Sequence, residues 1–435
     1  MNIRRLALET LVKCESASQY SNLALDAKIK QYNITGDERS FFTVLVYGTI
    51  EHKLTLDYYI AKLSALPESK IDRETRNILR LGLYQIIYMR TANHAAVNET
   101  VALAPQRSRG FINAILRSYL RKKDELTLPS REDSPAYSLS IEYSYPEATC
   151  KKLCDCFGIE QTEALLSAMN TPPPLTLRVN TLRISRDELI ERLAEHGIGA
   201  EKTKFAPYGV KLLTNQSYGE LEALFGGLFF VQDEASQVAV AALDAKKGDT
   251  LLDICSCPGS KSFGAALSME NEGKIFAFDI SKSKLPLISS GADRLGISII
   301  SAAVHDGRDP MPEFYEVADR IICDVPCSGF GVVAKKPDIR YKDISAAEAL
   351  PKIQYDILST AKKYLKVGGE MIYSTCTILP EENEYNVKKF IEENGDFELV
   401  PFKVGELDCP DGYITLLPHV HKTDGFFVAK LKRKK

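Results

Sequence analysis

Three patterns of apolar spacing follow one another along the chain. In the first 125 residues apolar side chains recur at helical spacing. Ile3, Leu6, Ala7, Thr10 and Leu11 form one stripe, and Leu79, Leu83, Ile86 and Ile87 another. Met1 to Val12 carries arginines, but it also holds Glu9 and lacks a cleavage-site pattern. It therefore reads as the first helix of a domain and not as a targeting leader. Residues 126–140 are polar and broken by Pro129 and Pro135, the marks of a linker. Tyr145 to Met169 is helical again. Thr176 to Thr181 reads as a short strand, after which Ser185-Arg186-Asp187-Glu188 forms a capping box that opens a helix ending near Gly197. Gly209 to Thr214 is a further strand. From about Val231 short apolar runs alternate with helical stretches to the C-terminus, which predicts a doubly wound sheet. Gly425 to Lys432 reads as the last strand, with Tyr413 to Leu417 placed to pair with it. The expected architecture is an all-α domain over 1–125, a linker over 126–140, a small α+β subdomain over 141–230 and an α/β doubly wound domain over 231–435. No long internal repeat or low-complexity segment interrupts it.

The chemistry-bearing residues gather where the apolar runs of the last domain end. Ile321-Ile322-Cys323-Asp324-Val325-Pro326-Cys327-Ser328-Gly329 and Glu370-Met371-Ile372-Tyr373-Ser374-Thr375-Cys376-Thr377 each read as a buried parallel strand breaking into small or turn-forming residues. Open α/β sheets bind ligands just beyond the carboxyl ends of their strands. Cys327 and Cys376 are therefore expected at the mouth of one site, where an ionised thiol is a strong nucleophile. A third strand, Thr250 to Cys255, runs through Ser256-Cys257-Pro258-Gly259-Ser260-Lys261 into a helix. Such a small-residue turn lets backbone N–H groups approach a ligand closely. The next strand, Lys274 to Phe278, ends in Asp279, whose carboxylate can accept hydrogen bonds from both hydroxyls of a ribose. This is a nucleoside-cofactor arrangement without a GxGxxG fingerprint or a Walker A frame.

Composition adds less. The chain has 435 residues, 45% of them apolar and 26% charged, with a net charge of −3. That balance excludes a general nucleic-acid coat, but the charge is uneven. Residues 1–125 hold 19 Lys or Arg against 13 Asp or Glu, a net +6, which leaves −9 for the rest. A basic helical domain on an acidic body suits RNA docking. Arg107, Arg109, Arg117, Arg121, Lys122 and Lys123, at the end of that domain, are its candidates for phosphate contacts. Ten cysteines and no signal peptide read as a reduced, cytoplasmic chain, and no apolar run is long enough to span a membrane. Cys150, Cys154 and Cys156 fall within one helical pattern without a second ligand pair, and the six histidines show no clustered motif. No metal is expected.

At Asp253–Ser262, Asp324–Gly331 and Ser374–Asn383 the chain resembles the S-adenosylmethionine-dependent RNA 5-methylcytosine methyltransferases, whose motifs read D-x-C-A-A-P-G-G-K-T, D-x-P-C-S-G-x-G and S-T-C-S…P-x-E-N. Val231 to Ser236, Lys336-Pro337-Asp338-Ile339 and Asp424-Gly425-Phe426-Phe427 match as well, in the same order. Upstream, Asn77 to Gln85 and Gly110 to Arg117 resemble the helical NusB-type RNA-binding domain that precedes the catalytic part in the 16S rRNA cytosine-5 methyltransferase B family. The likeness spans essentially the whole chain. The 141–230 segment resembles the small RNA-recognition-like subdomain of such enzymes.

The resemblance implies methyl transfer to carbon 5 of one cytosine of small-subunit rRNA, conventionally numbered 967, by a chain acting as a monomer. It implies Cys376 as the nucleophile on cytosine carbon 6 and Cys327 as the group assisting release of the methylated product. Asp324 would sit at the base edge near nitrogen 3 and close to the cofactor, with Lys261 orienting the site. Cofactor contacts are implied for Cys255, Ser256, Cys257, Pro258, Gly259, Ser260, Lys261, Asp279, Asp306 and Asp324, with Asp306 near the adenine amine. Read without the resemblance, Asp306 in His305-Asp306-Gly307-Arg308 is the start of an Asx turn. Two departures stand out. Ser256-Cys257 and Ser260 replace Ala-Ala and the second Gly of the first motif, and Phe330 occupies the usual place of a Thr, as packing or as a platform for a base. The rival readings are a cytosine-5 methyltransferase for another rRNA or a tRNA site, and a noncatalytic RNA-binding or ribosome-assembly protein with a retired cofactor loop.

Overall fold

The computed structural model describes residues 2–17, 21–214 and 216–435; Met1, expected in the first helix, lies outside them. The chain forms two compact units, one of residues 1–171 with 333–344, the other of residues 172–332 with 345–435.

The first unit is helical: α1 (Ile3–Ala17), α2 (Ser21–Tyr32), α3 (Gly36–Glu51), α4 (Lys53–Leu63), α5 (Arg73–Ile87), α6 (Asn93–Leu103), α7 (Gln106–Lys122), α8 (Pro135–Tyr143), α9 (Glu147–Phe157) and α10 (Ile159–Met169). The expected stripes face one core, in which Leu6, Ala7 and Leu11 of α1 meet Leu79 and Leu83 of α5. Asp72 starts α5 by accepting the Thr75 N–H at 3.0 Å, which satisfies one orphan donor of the first turn. Arg80 is buried in the same helix, and its charge is met by Asp57 at 2.7 Å and Glu15 at 3.2 Å.

The linker expected over 126–140 is in part a helix. Pro135 occupies the first turn of α8, where a missing N–H costs nothing, so a residue read as a breaker is a starter. Helices α8 to α10 pack within this unit. Gly158, at φ +79°, separates α9 from α10, which the sequence had read as one helical run. Residues 333–344 also join this unit. The carboxylate of Asp338 accepts from the Ser21 amide at 3.0 Å, Arg340 is fully buried and donates to the Glu51 carbonyl at 2.8 Å, and the Tyr341 hydroxyl donates to Ile50 O at 2.6 Å.

The second unit opens with β1 (Thr176–Val179), α11 (Arg186–Glu195), β2 (Ala200–Lys202), β3 (Gly209–Leu212), α12 (Tyr218–Phe225) and β4 (Phe229–Val231). The strands pair antiparallel in the order β2-β3-β1-β4, the ferredoxin-like βαββαβ arrangement. The capping box expected at Ser185 is present, with the Ser185 hydroxyl and the Glu188 carboxylate each accepting the other's backbone N–H. Leu177, Val179, Val210 and Phe229 pack against Leu189 and Leu193 of α11 and Leu221 of α12.

Next come α13 (Glu234–Leu243), β5 (Thr250–Asp253), α14 (Ser260–Ser268), β6 (Lys274–Asp279), α15 (Leu285–Leu295), β7 (Ile300–Val304), β8 (Ala318–Asp324), α16 (Leu350–Ala361), β9 (Leu365–Thr375) and α17 (Glu384–Glu393). Short strands β10 (Phe397–Leu399), β11 (Phe402–Val404), β12 (Leu407–Cys409), β13 (Tyr413–Leu416) and β14 (Phe426–Arg433) complete the chain. The large sheet runs β10-β14-β9-β8-β5-β6-β7, with β13 on β14. Strands β9, β8, β5, β6 and β7 are parallel, and the β10, β13 and β14 pairings are antiparallel. Neighbouring residues alternate between its two faces. Leu251, Ile322, Ile372 and Val428 pack with residues of α13 to α15, whereas Leu252, Ile321, Met371 and Phe427 pack with α16 and α17. The chain leaves β5 toward β6 and β7, then returns to β8 on its other side. The carboxyl ends of β5 and β8 therefore flank a topological switch point, where a ligand crevice belongs.

Candidate active site

Loops from β5, β6, β8 and β9 meet at this switch point. After β5 the chain turns through a cis Cys257–Pro258 bond into α14. The Ser256 amide and hydroxyl both donate to Phe278 O, at 2.7 and 2.9 Å, tying the turn to β6. Gly259, at φ +108°, is the residue that needs left-handed backbone, and a Cβ there would press on the Phe263 ring. Ser260 is the first residue of α14 and is not among the positive-φ positions. The departure from a second glycine thus falls where any residue fits.

Asp279, at the end of β6, accepts the Cys257 N–H at 3.1 Å on one oxygen and the Ser281 N–H at 2.8 Å on the other. Each oxygen keeps a further acceptor position. Asp306 follows β7, next to β6 in the sheet. It forms the Asx turn that the residues alone allowed: its carboxylate accepts the Arg308 N–H at 3.0 Å and pairs with the Arg308 guanidinium at 2.6 Å, which pulls it down to about 2. That carboxylate is largely engaged already.

Asp324 closes β8 opposite Ser374 of β9 in the parallel register. Its two oxygens accept from Lys261 Nζ and Ser374 Oγ, both at 2.7 Å. Lys261 is nine-tenths buried on the first turn of α14 and lies 5.2 Å from the centre of the Phe426 ring. Beneath it the fully buried Asp253 accepts from the Ser262 hydroxyl at 2.6 Å, and burial pushes its carboxyl up to about 7. Cys255 and Cys323 are pushed well above the ordinary thiol value by burial. Burial, then Asp279, raises Cys257 to about 11.

The two expected thiols face each other, Cys327 Sγ to Cys376 Sγ 3.1 Å, both half-exposed and both reduced. The hydrogen bond to Cys376 comes first among the causes that raise Cys327 well above its ordinary value, followed by burial, the Cys376 charge, Glu382 and Asp324. At that distance a single proton can lie between the sulfurs once one thiol ionises, and the contact, burial and nearby carboxylates disfavour ionisation of Cys327.

Residues that the sequence left without a role hold these loops. The Ser328 hydroxyl and the Thr377 hydroxyl share a hydrogen bond of 2.8 Å. The Gly331 amide donates to Cys376 O at 2.9 Å. Asn383 accepts from the Thr375 hydroxyl at 2.5 Å and donates to Thr377 O at 3.0 Å. The Glu382 carboxylate accepts the Ser328 N–H at 2.9 Å. Glu382 and Asn383 lay inside a motif that gave them no role, and their burial marks them out. Phe330 is buried, so it is packing and not a base platform.

Arg107, Arg109, Arg117, Arg121, Lys122 and Lys123 lie on or just beyond α7, in the other unit, and all six are exposed. Arg117 holds only Asn113 and Arg121 only Ser118 among the hydrogen bonds seen there, at 2.8 and 3.0 Å. Among the described residues no group of three or more His, Cys, Asp or Glu side chains is placed to hold a metal ion, and no helix is long and apolar enough to cross a membrane.

Family models match three successive stretches of the chain. A 16S rRNA methyltransferase RsmB/F family model matches residues 240–432, a NusB family model residues 1–121, and a model of the ferredoxin-like domain of RsmF/B-like methyltransferases residues 145–218. The probable ribosomal RNA small subunit methyltransferase B of Bacillus subtilis (strain 168) is 38% identical, covering 100% of this chain and 99% of its own. The ribosomal RNA small subunit methyltransferase B of Escherichia coli O1:K1 / APEC is 32% identical, covering 100% and 99%. The crystal structure of PH0851 matches with a TM-score of 0.79 at 26% identity, covering 99% of each chain.

Proposed function

The chain belongs to the ribosomal RNA small subunit methyltransferase B family, and from that premise we propose that it transfers a methyl group from S-adenosylmethionine to carbon 5 of one cytosine in 16S rRNA, cytosine 967 by the family's convention. The observation that carries the chemistry is the pair of thiols 3.1 Å apart at the ends of adjacent strands, beside the Lys261–Asp324 pair and the turn after β5.

The residues present fit a nucleoside cofactor. Gly259, left-handed and too close to the Phe263 ring for a Cβ, keeps the turn free of a side chain at that position, and Asp279 retains acceptor capacity for two ribose hydroxyls. When bound there, S-adenosylmethionine supplies an electrophilic methyl group. Asp306, occupied by Arg308, fits an adenine contact only if one of its oxygens accepts a further bond.

Carbon 5 of cytosine is a poor nucleophile. The thiolate of Cys376 adds to carbon 6 and makes carbon 5 electron-rich. Asp324, held by Lys261 and Ser374, meets the base edge at nitrogen 3 and favours the charge state that addition requires. After methyl transfer the carbon 5 proton must leave before Cys376 can be expelled. Cys327, in contact with Cys376, is the group placed to assist that elimination.

Incubation of 16S rRNA and of partly assembled small subunits with labelled S-adenosylmethionine, followed by bisulfite sequencing, tests the reading. One protected cytosine is expected. Labelled RNA without a protected cytosine would overturn the carbon 5 assignment, and no label on any RNA would favour the noncatalytic rival. On denaturing gels Cys376→Ala is expected to form neither product nor adduct, whereas Cys327→Ala is expected to accumulate a protein–RNA adduct. The opposite pattern would exchange the two roles.

A further inference from the structure

A buried carboxylate beside the thiol pair has no place in the chemistry above. Glu382 is 1% exposed. One oxygen accepts the Ser328 N–H at 2.9 Å and the Gln354 side-chain amide at 2.8 Å; the other is buried without a hydrogen-bond partner. Ser328 is the residue after Cys327. Gln354 also donates to Pro326 O at 3.0 Å, on the other side of Cys327. One carboxylate and one amide thus grip the backbone on both sides of that cysteine.

The grip is itself braced from two elements. The Tyr373 hydroxyl of β9 donates to Glu382 O at 2.6 Å, and Asn386 of α17 donates to Gln354 Oε1 at 3.2 Å. Tyr373, Gln354, Glu382 and Asn386 are all at most 5% exposed. A buried polar net of this kind costs desolvation that apolar residues of the same size would avoid. The Glu382 oxygen without a partner makes that cost larger. The net is therefore hard to explain as packing, and its Glu382 and Gln354 ends meet on the two sides of Cys327.

We infer that Glu382 is a positioning residue for the thiol pair: it fixes the Cys327 loop and, by its charge, holds the shared proton on Cys327 so that Cys376 is the thiolate. The inference deepens the proposed mechanism and rests on Cys376 being its nucleophile. The charged and titratable groups that face Cys327 are Cys376 and Tyr373 from β9 and its end, Glu382 from the following turn, and Asp324 from β8. Asp324 is already neutralised by Lys261, which leaves Glu382 as the carboxylate without a cation in its hydrogen bonds. A proton lodged on Cys327 is what attack by Cys376 needs; at release Cys327 takes the carbon 5 proton only after giving this one up to solvent.

The test reads the thiols directly and needs no RNA. Wild-type protein is labelled with a limiting amount of iodoacetamide near neutral pH, and peptide mapping gives the ratio of label on Cys376 to label on Cys327. Wild type is expected to be labelled mainly on Cys376. Glu382→Gln keeps the shape and the acceptor oxygen but removes the charge, and the ratio is expected to fall about tenfold, the order that one charge gives across a half-buried pair. Glu382→Asp keeps the charge but withdraws it from the Ser328 amide, and an intermediate ratio is expected. If Glu382→Gln does not fold, the Asp variant decides alone, by a ratio lowered or not. Ratios equal to wild type in the folded variants would overturn the inference. Methyl transfer by wild type is measured in parallel. Its absence would remove the proposed function while leaving the labelling result readable.

Discussion

Asp253 shows how one buried carboxyl can set the way stability responds to pH. It closes β5, is wholly buried, and receives the Ser262 hydroxyl from the helix that carries Lys261. Burial raises its carboxyl to about 7 against an ordinary value of 3.8; the Ser262 bond offsets part of this, and Asp324 adds to it. Below about pH 4 the folded and unfolded chains both hold the proton, and the contribution is fully present. Between about pH 4 and 7 the unfolded chain gives the proton up while the folded one keeps it. Stability is therefore lost as pH rises, by at most about 1.4 kcal/mol per pH unit. Asp253→Asn, an isostere of the protonated acid, lacks this slope. Urea unfolding of both proteins at several pH values should show wild type losing roughly 3 kcal/mol relative to the variant from pH 4.5 to 7.5. Parallel curves would mean that Asp253 is charged in the folded protein throughout.

At the scale of elements, what the sequence shows depends on how local the cause is. The capping box at Ser185, the strand ends at Asp279, Asp324 and Cys376, and the pairing of Tyr413–Leu416 with Phe426–Arg433 are written in neighbouring residues, and the fold has all of them. Pro135 misled because a proline punctuates in either direction, ending one segment or starting the next. The place of residues 333–344 in the helical unit depends on partners nearly 300 positions away, such as Glu51 for Arg340, and no periodicity records that. The same holds for Gly331. Its amide meets Cys376 O, and its carbonyl accepts the Gly425 N–H at 2.8 Å. A Cβ there would fall on the Gly425 carbonyl and press on Cys376 O at 2.8 Å. Gly331→Ala must push apart the loops after β8 and β9 and the start of β14, an overpacking that typically costs about 1–3 kcal/mol. Methyl transfer is expected to fall at least about tenfold, since displacements near 1 Å commonly cost more than that. Cofactor affinity, which the proposed function assigns to the turn after β5, should hold. Calorimetry with S-adenosylmethionine alongside kinetics checks this; a joint loss of both would mean that the loops are not independent of the cofactor turn.

For the whole molecule, charge and chemistry are divided. The net +6 of residues 1–125 stands against −9 in the remainder, and the thiols and the turn after β5 lie in the acidic part. Helix α7 presents Arg107, Arg117 and Arg121 along one exposed face and ends in Lys122 and Lys123. The hydrogen bonds of Arg117 and Arg121 are to neutral, exposed neighbours one turn away, so a phosphate can displace them at little cost. Neutralising Arg117, Arg121 and Lys122 together removes up to three phosphate contacts. RNA affinity should fall, and the slope of log affinity against log salt should flatten by about 2 to 3, because fewer counterions are released on binding. S-adenosylmethionine affinity should not change, since none of the three belongs to the unit that carries the turn. A face that only meets water predicts no change in either quantity. RNA titrations at several salt concentrations separate the two. An unchanged slope would take α7 out of the RNA contact and move docking to the ferredoxin-like subdomain.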